Sequence, residues 1–443
     1  MFSTKDMVIL GMMVFALFLG AGNIIFPPMA GYQSGTDWFS TSLGFIITGV
    51  ILPFMTLVTV AVKGRGERLS VDLPKWVAVI FWVALYLIVG STFAMPRVTN
   101  TAFEMGFIPL GFIEKSTTSH LTFALIFNVC SLFFMLKQGT MISAIGKFMT
   151  PALLILLVVV GIAVVAEPLS PINAPVKQYA DYAFFGGVID GYQTMDVLSA
   201  MAFGGIVARA LASKNITQPR QVAFITIKAG LISVSLLAAL YICLFYLGAT
   251  SELVANTATN GGQIFSRYVD TLFGSIGTWI MCGIVLLASM TTLVGVTSAC
   301  ADYFATFHHR LGYRFWVVFF TLLTTIVSTF GLDTLLRVTI PALLMIYPSS
   351  VTIVFLQFAR RYMAAPRVTY GITIAVIVFM SLLDTLNNMT LLSDNVKGFL
   401  VSNLPLFEQG MGWLIPGVIT FIISLFVGNL FCNKTVQLTD EKA

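Results

Sequence analysis

Three groups of residues hold the chemistry this sequence can do. Gly20-Ala21-Gly22-Asn23 interrupts an apolar stretch and is followed by Pro27 and Pro28. Two glycines one residue apart favour an unwound backbone, which survives in a bilayer only where protein buries it or it lines a cavity. A break of this kind frees carbonyls that can hold a cation and amides that can hold a carboxylate. The amides of Ala21, Gly22 and Asn23 would face the anion, aided by the dipole of the half-helix that follows. The carbonyls of Ala16, Phe18 and Leu19 would face the cation, and Asn23 can add a side-chain oxygen. Close helix packing is the other use of small residues, although packing motifs favour a spacing of four.

The second group is Tyr192-Gln193-Thr194-Met195-Asp196, with Asp190 before it. An acid at the centre of a membrane helix costs about 2.5–3.5 kcal/mol on insertion scales. Asp190 lies near the outer edge of its span, where that cost fades. Asp196 is deeper and can join a cation site or carry a proton. The third group is Ser289, Thr291, Thr292, Thr297 and Ser298. Such hydroxyls often bond back to their own helix. The Thr291–Thr292 pair can instead supply two oxygens to a hard cation, with the Ala288 carbonyl one turn earlier as a third. Phe45, Phe93, Met95, Phe203 and Met290 can wall an apolar pocket. With 38 Phe and 20 Met in the chain, lipid-facing or core packing is the better account of each.

The elements that must position these groups are membrane helices. The chain has 443 residues, of which 58% are hydrophobic and 10% charged, with mean hydropathy +0.93. Soluble domains carry about 25% charged residues. Apolar stretches of 18 or more residues recur along the chain, each long enough to span. The expected spans are about 7–29, 39–62, 76–96, 119–137, 146–166, 186–208, 222–248, 273–305, 315–331, 338–358, 369–386 and 411–431, twelve in all. The first reads as a retained span and not as a signal peptide. With the N-terminus in the cytoplasm, 18 of the 24 Lys and Arg fall inside, leaving Arg97, Lys115, Lys177, Arg267, Arg337 and Lys397 outside. That bias follows the positive-inside rule and puts both termini in the cytoplasm. The net charge of +5 is spread loop by loop and is no nucleic-acid signature. The five cysteines make no paired spacing, and His120, His308 and His309 have no metal-ligand pattern around them.

The interrupted first and sixth spans stand five spans apart. Interruptions at corresponding places in two halves point to a transporter site between repeats. The expected architecture is one all-α transmembrane domain over 1–443, with inverted repeats at about 6–166 and 183–358 and added helices at 369–431. An integral-membrane enzyme would need a metal or nucleophile cluster, and a channel a pore loop or charged rings; neither pattern is visible.

Lys5-Asp6 followed by Phe15 to Pro28, together with Phe93-Ala-Met-Pro-Arg97, Gly191-Tyr-Gln-Thr-Met-Asp196 and Thr291 to Cys300, resembles the branched-chain amino acid carriers of the LIVCS (BrnQ-type) family along essentially the whole chain. The resemblance implies the leucine-transporter fold in a bacterial inner membrane. It implies symport of leucine, isoleucine and valine with Na⁺, or with H⁺ in some members. It assigns the substrate backbone to Gly20, Ala21, Gly22, Asn23 and to Tyr192, Gln193, Thr194, Asp196, with Phe203 as an apolar wall. It assigns the cation to carbonyls near Ala16 and Leu19 with Thr291 and Thr292; the residues themselves add Ala288, with Thr297 and Ser298 as the alternative. An H⁺-coupled permease with Asp196 titrating is the competing reading. No protein partner is evident.

Overall fold

The computed structural model describes residues 3–136, 148–307 and 310–440, all regular elements of which are helical. His308 and His309, and Lys137, Lys147 and Lys442 among the 18 residues counted inside, lie outside the described residues. Among the described residues, seven helices are long and apolar enough to cross a membrane, and a pair bent by 43°, Tyr179–Tyr192 with Asp196–Ala212, adds an eighth. Thr150–Ala166, Tyr313–Ser328 and Leu414–Gly428 are apolar but shorter.

The chain divides into two compact units. The larger comprises Met1–Gly64 and Tyr86–Arg337. It opens with Thr4–Phe18, started by a reciprocal cap in which the Ser3 hydroxyl and Asp6 carboxylate each receive the other's backbone N–H. Such caps satisfy donors that a helix start leaves free. The helix stops at Leu19 and resumes as Ala21–Ser34, which tolerates Pro27 and Pro28. Each proline lacks an N–H, so the carbonyls of Asn23 and Ile24 lose their helical partners.

The packing in this unit is reciprocal. Pro219–Ala249 runs along both halves of the broken first span, and the second span, Trp38–Ile46 and Leu52–Lys63, runs along both halves of the broken sixth. Glycines set the approach. A Cβ on Gly31 would stand 2.2 Å from the Phe245 carbonyl oxygen, and one on Gly248 2.1 Å from that of Pro28. The other seam repeats the device: Gly44 faces the Phe184 carbonyl at 2.0 Å and Gly187 the Thr41 carbonyl at 1.9 Å. Real side chains do not fit at these distances, so the backbones touch.

In the smaller unit, Arg65–Leu85 and Val338–Ala443, Arg360 grips the buried Asp72 with two nitrogens at 2.5 and 3.3 Å. Trp82 donates to the Ser70 hydroxyl at 2.8 Å, and Pro366–Asn388 packs along Leu414–Asp440.

Two expectations need correction. The third span does not end at 96: helical backbone continues through Ala94–Thr101 and on to Leu110. Pro96 sits in the first turn of Ala94–Thr101, where a missing N–H costs nothing, and all eight residues of that helix are buried. Arg97 is therefore no loop charge; it is 2% exposed. Second, Gly261–Phe273 is a helix that no apolar stretch announced. It buries Ile264, Phe265, Tyr268 and Val269 on one face and sets Gly261 against the Ile25 carbonyl.

Candidate functional site

Unwinding in the first span is confined to Leu19 and Gly20, rather than extending over Gly20–Asn23. Leu19 has ψ 86° and Gly20 is extended at φ −107°, ψ −173°. The Asn23 side-chain oxygen accepts the Gly20 N–H at 2.9 Å and so starts the next helix at Ala21. Ala21, Gly22 and Asn23 then occupy a first turn, whose N–H groups have no partner within the helix. The predicted donors are present, supplied by a helix start instead of an unwound strand. Asn23 differs from expectation in a second way, because its oxygen is engaged in this cap.

The sixth span breaks at Gln193–Met195, where Met195 adopts left-handed φ 63°. The Thr194 hydroxyl donates to the Gly191 carbonyl at 2.8 Å and accepts the Asp196 N–H at 3.3 Å. Asp196 thus opens the second half-helix, and its carboxylate joins the two breaks. Asn23 Nδ2 donates to Asp196 Oδ2 at 2.6 Å and also contacts the Tyr241 hydroxyl, which donates to the same oxygen at 3.3 Å. All three side chains are buried. Tyr241 escaped the sequence reading. Its only signal is a phenol among apolar residues, which when buried usually finds a partner. Phe45 packs edge-on against its ring at 4.9 Å.

Tyr192 is buried in the last turn before the break. Gln193 donates to Asp190 Oδ1 at 3.3 Å, and the Tyr179 hydroxyl holds Asp190 Oδ2 at 2.8 Å. Asp190 is thereby occupied on the first half-helix, apart from the Asp196 cluster. Phe203 lies seven residues beyond Asp196, about 10 Å along the helix. It meets the Phe18 ring edge-on at 6.4 Å.

The proposed cation ligands converge. In an unbroken helix the Gly20 N–H would bond the Ala16 carbonyl; here it turns to Phe18 and to Asn23. The freed Ala16 carbonyl accepts the Thr291 hydroxyl at 3.1 Å, and the same hydroxyl lies 3.0 Å from the Ala288 carbonyl. Thr292 donates to the Leu19 carbonyl at 3.3 Å. Two neighbouring threonines thus join these five oxygens in two groups, Thr291 with Ala16 and Ala288, and Thr292 with Leu19. Thr297 and Ser298 point elsewhere, to Met95 Sδ at 2.7 Å and to the Tyr313 hydroxyl at 3.1 Å. Met290 lines a cavity of about 730 Å³ with Phe123, Phe127 and Leu286, not the space between the breaks.

Arg97 completes the arrangement. Its Nη1 donates to the Gln193 carbonyl at 3.0 Å, and its guanidinium lies over the Phe26 ring at 5.4 Å. A Cβ on Gly22 would come within 2.8 Å of Nη2. The side chain therefore spans from one break to the other.

A model of the family described as branched-chain amino acid transport protein matches residues 3–431. The chain belongs to that family. Its members are transport proteins, not enzymes. A branched-chain amino acid permease BrnQ of Haemophilus influenzae is 56% identical over 97% of this chain and 98% of its own length. A branched-chain amino acid transport system 3 carrier protein of Pseudomonas aeruginosa is 37% identical over 98% of each chain. Among solved structures, the nucleobase-cation-symport-1 transporter Mhp1 in a closed conformation superposes with a TM-score of 0.60 at 13% identity, covering 97% of this chain and 93% of that one. That likeness shows the fold of this family member, the leucine-transporter fold.

Proposed function

We propose that this chain is a secondary active carrier that imports leucine, isoleucine and valine with Na⁺. The names of its relatives support the substrate class. The observation that carries the mechanism is the meeting of two helix breaks through Asn23, Asp196 and Tyr241, beside the oxygens of Ala16, Leu19, Ala288, Thr291 and Thr292. The substrate carboxylate meets the free amides of Ala21–Asn23, and its ammonium meets the Asp196 carboxylate and the carbonyls at Tyr192–Thr194. Hard cations take oxygen ligands, and the two threonine hydroxyls would turn from the carbonyls to the ion. An apolar pocket separates one methylene by only about 1–3 kcal/mol, so the three substrates compete.

Seven long apolar helices, the bent pair, the three shorter apolar helices and the broken first span make the twelve spans of this reading, with both termini in the cytoplasm of a bacterial inner membrane. The exchange of partners between the first and seventh spans and the second and sixth supports an inverted repeat over 6–166 and 183–358. Arg209 pairs with Asp302 at 2.5 Å, and Lys214 with Asp6 at 3.5 Å. These pairs tie together the ends of spans one, six and eight that this reading puts in the cytoplasm, and we take them as the gate on that side.

A proton-coupled permease is the second reading, favoured by a carboxylate buried at the junction of both breaks. Labelled leucine uptake into proteoliposomes, with Na⁺ and H⁺ gradients imposed separately, decides between them. Accumulation driven by Na⁺ is the expected result. Uptake driven by H⁺ alone and indifferent to Na⁺ transfers coupling to Asp196.

A further inference from the structure

Arg97 is the buried charge for which the mechanism above has no use. The side chain is 2% exposed, its Nε has no partner, and Nη1 makes one bond, to the Gln193 carbonyl. Among the described residues it makes no ion pair. A guanidinium offers five donors in a fork that matches a carboxylate. Leaving it buried without an anion is expensive, and charges kept at such depth mark substrate pathways. A tie between the two breaks would need only the Gln193 bond, which a neutral amide could make.

Its place fits an anion. Gly22, the middle residue of the first turn that offers free amides, leaves the guanidinium room to lie directly against that turn. Asp196, the carboxylate held by Asn23 and Tyr241, opens the half-helix after the sixth-span break. A guanidinium and a carboxylate that both reach between the breaks can take the two ends of a zwitterion.

We propose that Arg97 binds the α-carboxylate of the transported amino acid, sharing it with the amides of Ala21–Asn23, while Asp196 faces the ammonium. This rests on the amino acid carrier reading and adds to it the requirement for a free carboxylate. The site then takes α-amino monocarboxylates and rejects the corresponding amides and alcohols, whatever their side chain.

Purified protein in detergent, titrated with leucine, leucinamide and leucinol by calorimetry in saturating Na⁺, tests it. Wild type should bind leucine roughly 30- to 100-fold tighter than leucinamide, as loss of a charge-assisted contact predicts. Arg97→Gln should lose a similar factor for leucine and change leucinamide and leucinol affinity by less than about threefold. Arg97→Lys should recover part of the loss. Equal wild-type affinity for leucine and leucinamide overturns the assignment, and this arm stands even if the variants fail to fold. Folded Arg97→Gln that binds leucine normally, or that loses leucinol equally, also overturns it, the latter making Arg97 a structural tie. Failure of wild type to bind leucine at all would instead sink the carrier reading.

Discussion

Thr292 carries its own test at the scale of the single residue. Its hydroxyl reaches the Leu19 carbonyl across the gap between the first and eighth spans. Thr292→Ala should weaken Na⁺ activation of leucine uptake about tenfold, corresponding to about 1.4 kcal/mol. Thr292→Ser should keep it, and the Na⁺ concentration dependence of uptake in proteoliposomes reads both. The residues of this cluster were legible because hydroxyls, a carboxamide and a carboxylate stand out in an apolar chain. Two partners were not. Tyr241 carries no local cue to the depth at which its hydroxyl lies. Arg97 follows a proline and precedes Val-Thr-Asn-Thr, a run that reads as the end of a span. Burial of that run depends on Ser275–Phe304 and Tyr313–Ser328 packing over it, which only the tertiary fold supplies.

Among the elements, the glycine seams are the most demanding feature. Gly187→Val would drive side-chain carbons into the Thr41 carbonyl, which a Cβ alone would approach to 1.9 Å. Overpacking of this kind costs about 1–3 kcal/mol or more. The variant should melt several degrees lower by fluorescence-detected size exclusion, whereas Gly312→Val, with nothing near its Cβ, should match wild type. The broken helices themselves could be read from glycine and proline, since these residues act on their own backbone. The length of the third span and the Gly261–Phe273 helix could not. The first is held by burial of polar residues, and the second is amphipathic and lies below any hydropathy threshold. Its face of Ile264, Phe265, Tyr268 and Val269 has the spacing of a helix and was the available signal.

For the whole molecule, the proposed cytoplasmic gate is a pair of contacts at the helix ends. Arg209 and Asp302 are 52% and 25% exposed, so their pair contributes about 0.2–1 kcal/mol. Asp302→Asn should shift the balance toward a cytoplasm-open form by about 1.4- to 5-fold. Labelling of a Ser199→Cys reporter from the cytoplasmic side, in a background without native cysteines, should rise by that factor. An unchanged rate would remove the pair from the gate.

The seams also govern how the molecule can move. Where a carbonyl fills the place of a missing side chain, two helices cannot slide without first separating. Pro219–Ala249, 31 residues or about 46 Å long, is bound in this way to Ala21–Ser34, and Trp38–Ile46 is bound likewise to Lys177–Tyr192. Each pair should therefore move as one body. A tilt of either pair then moves both of its ends at once, so that a displacement at one end of a helix is carried to the other.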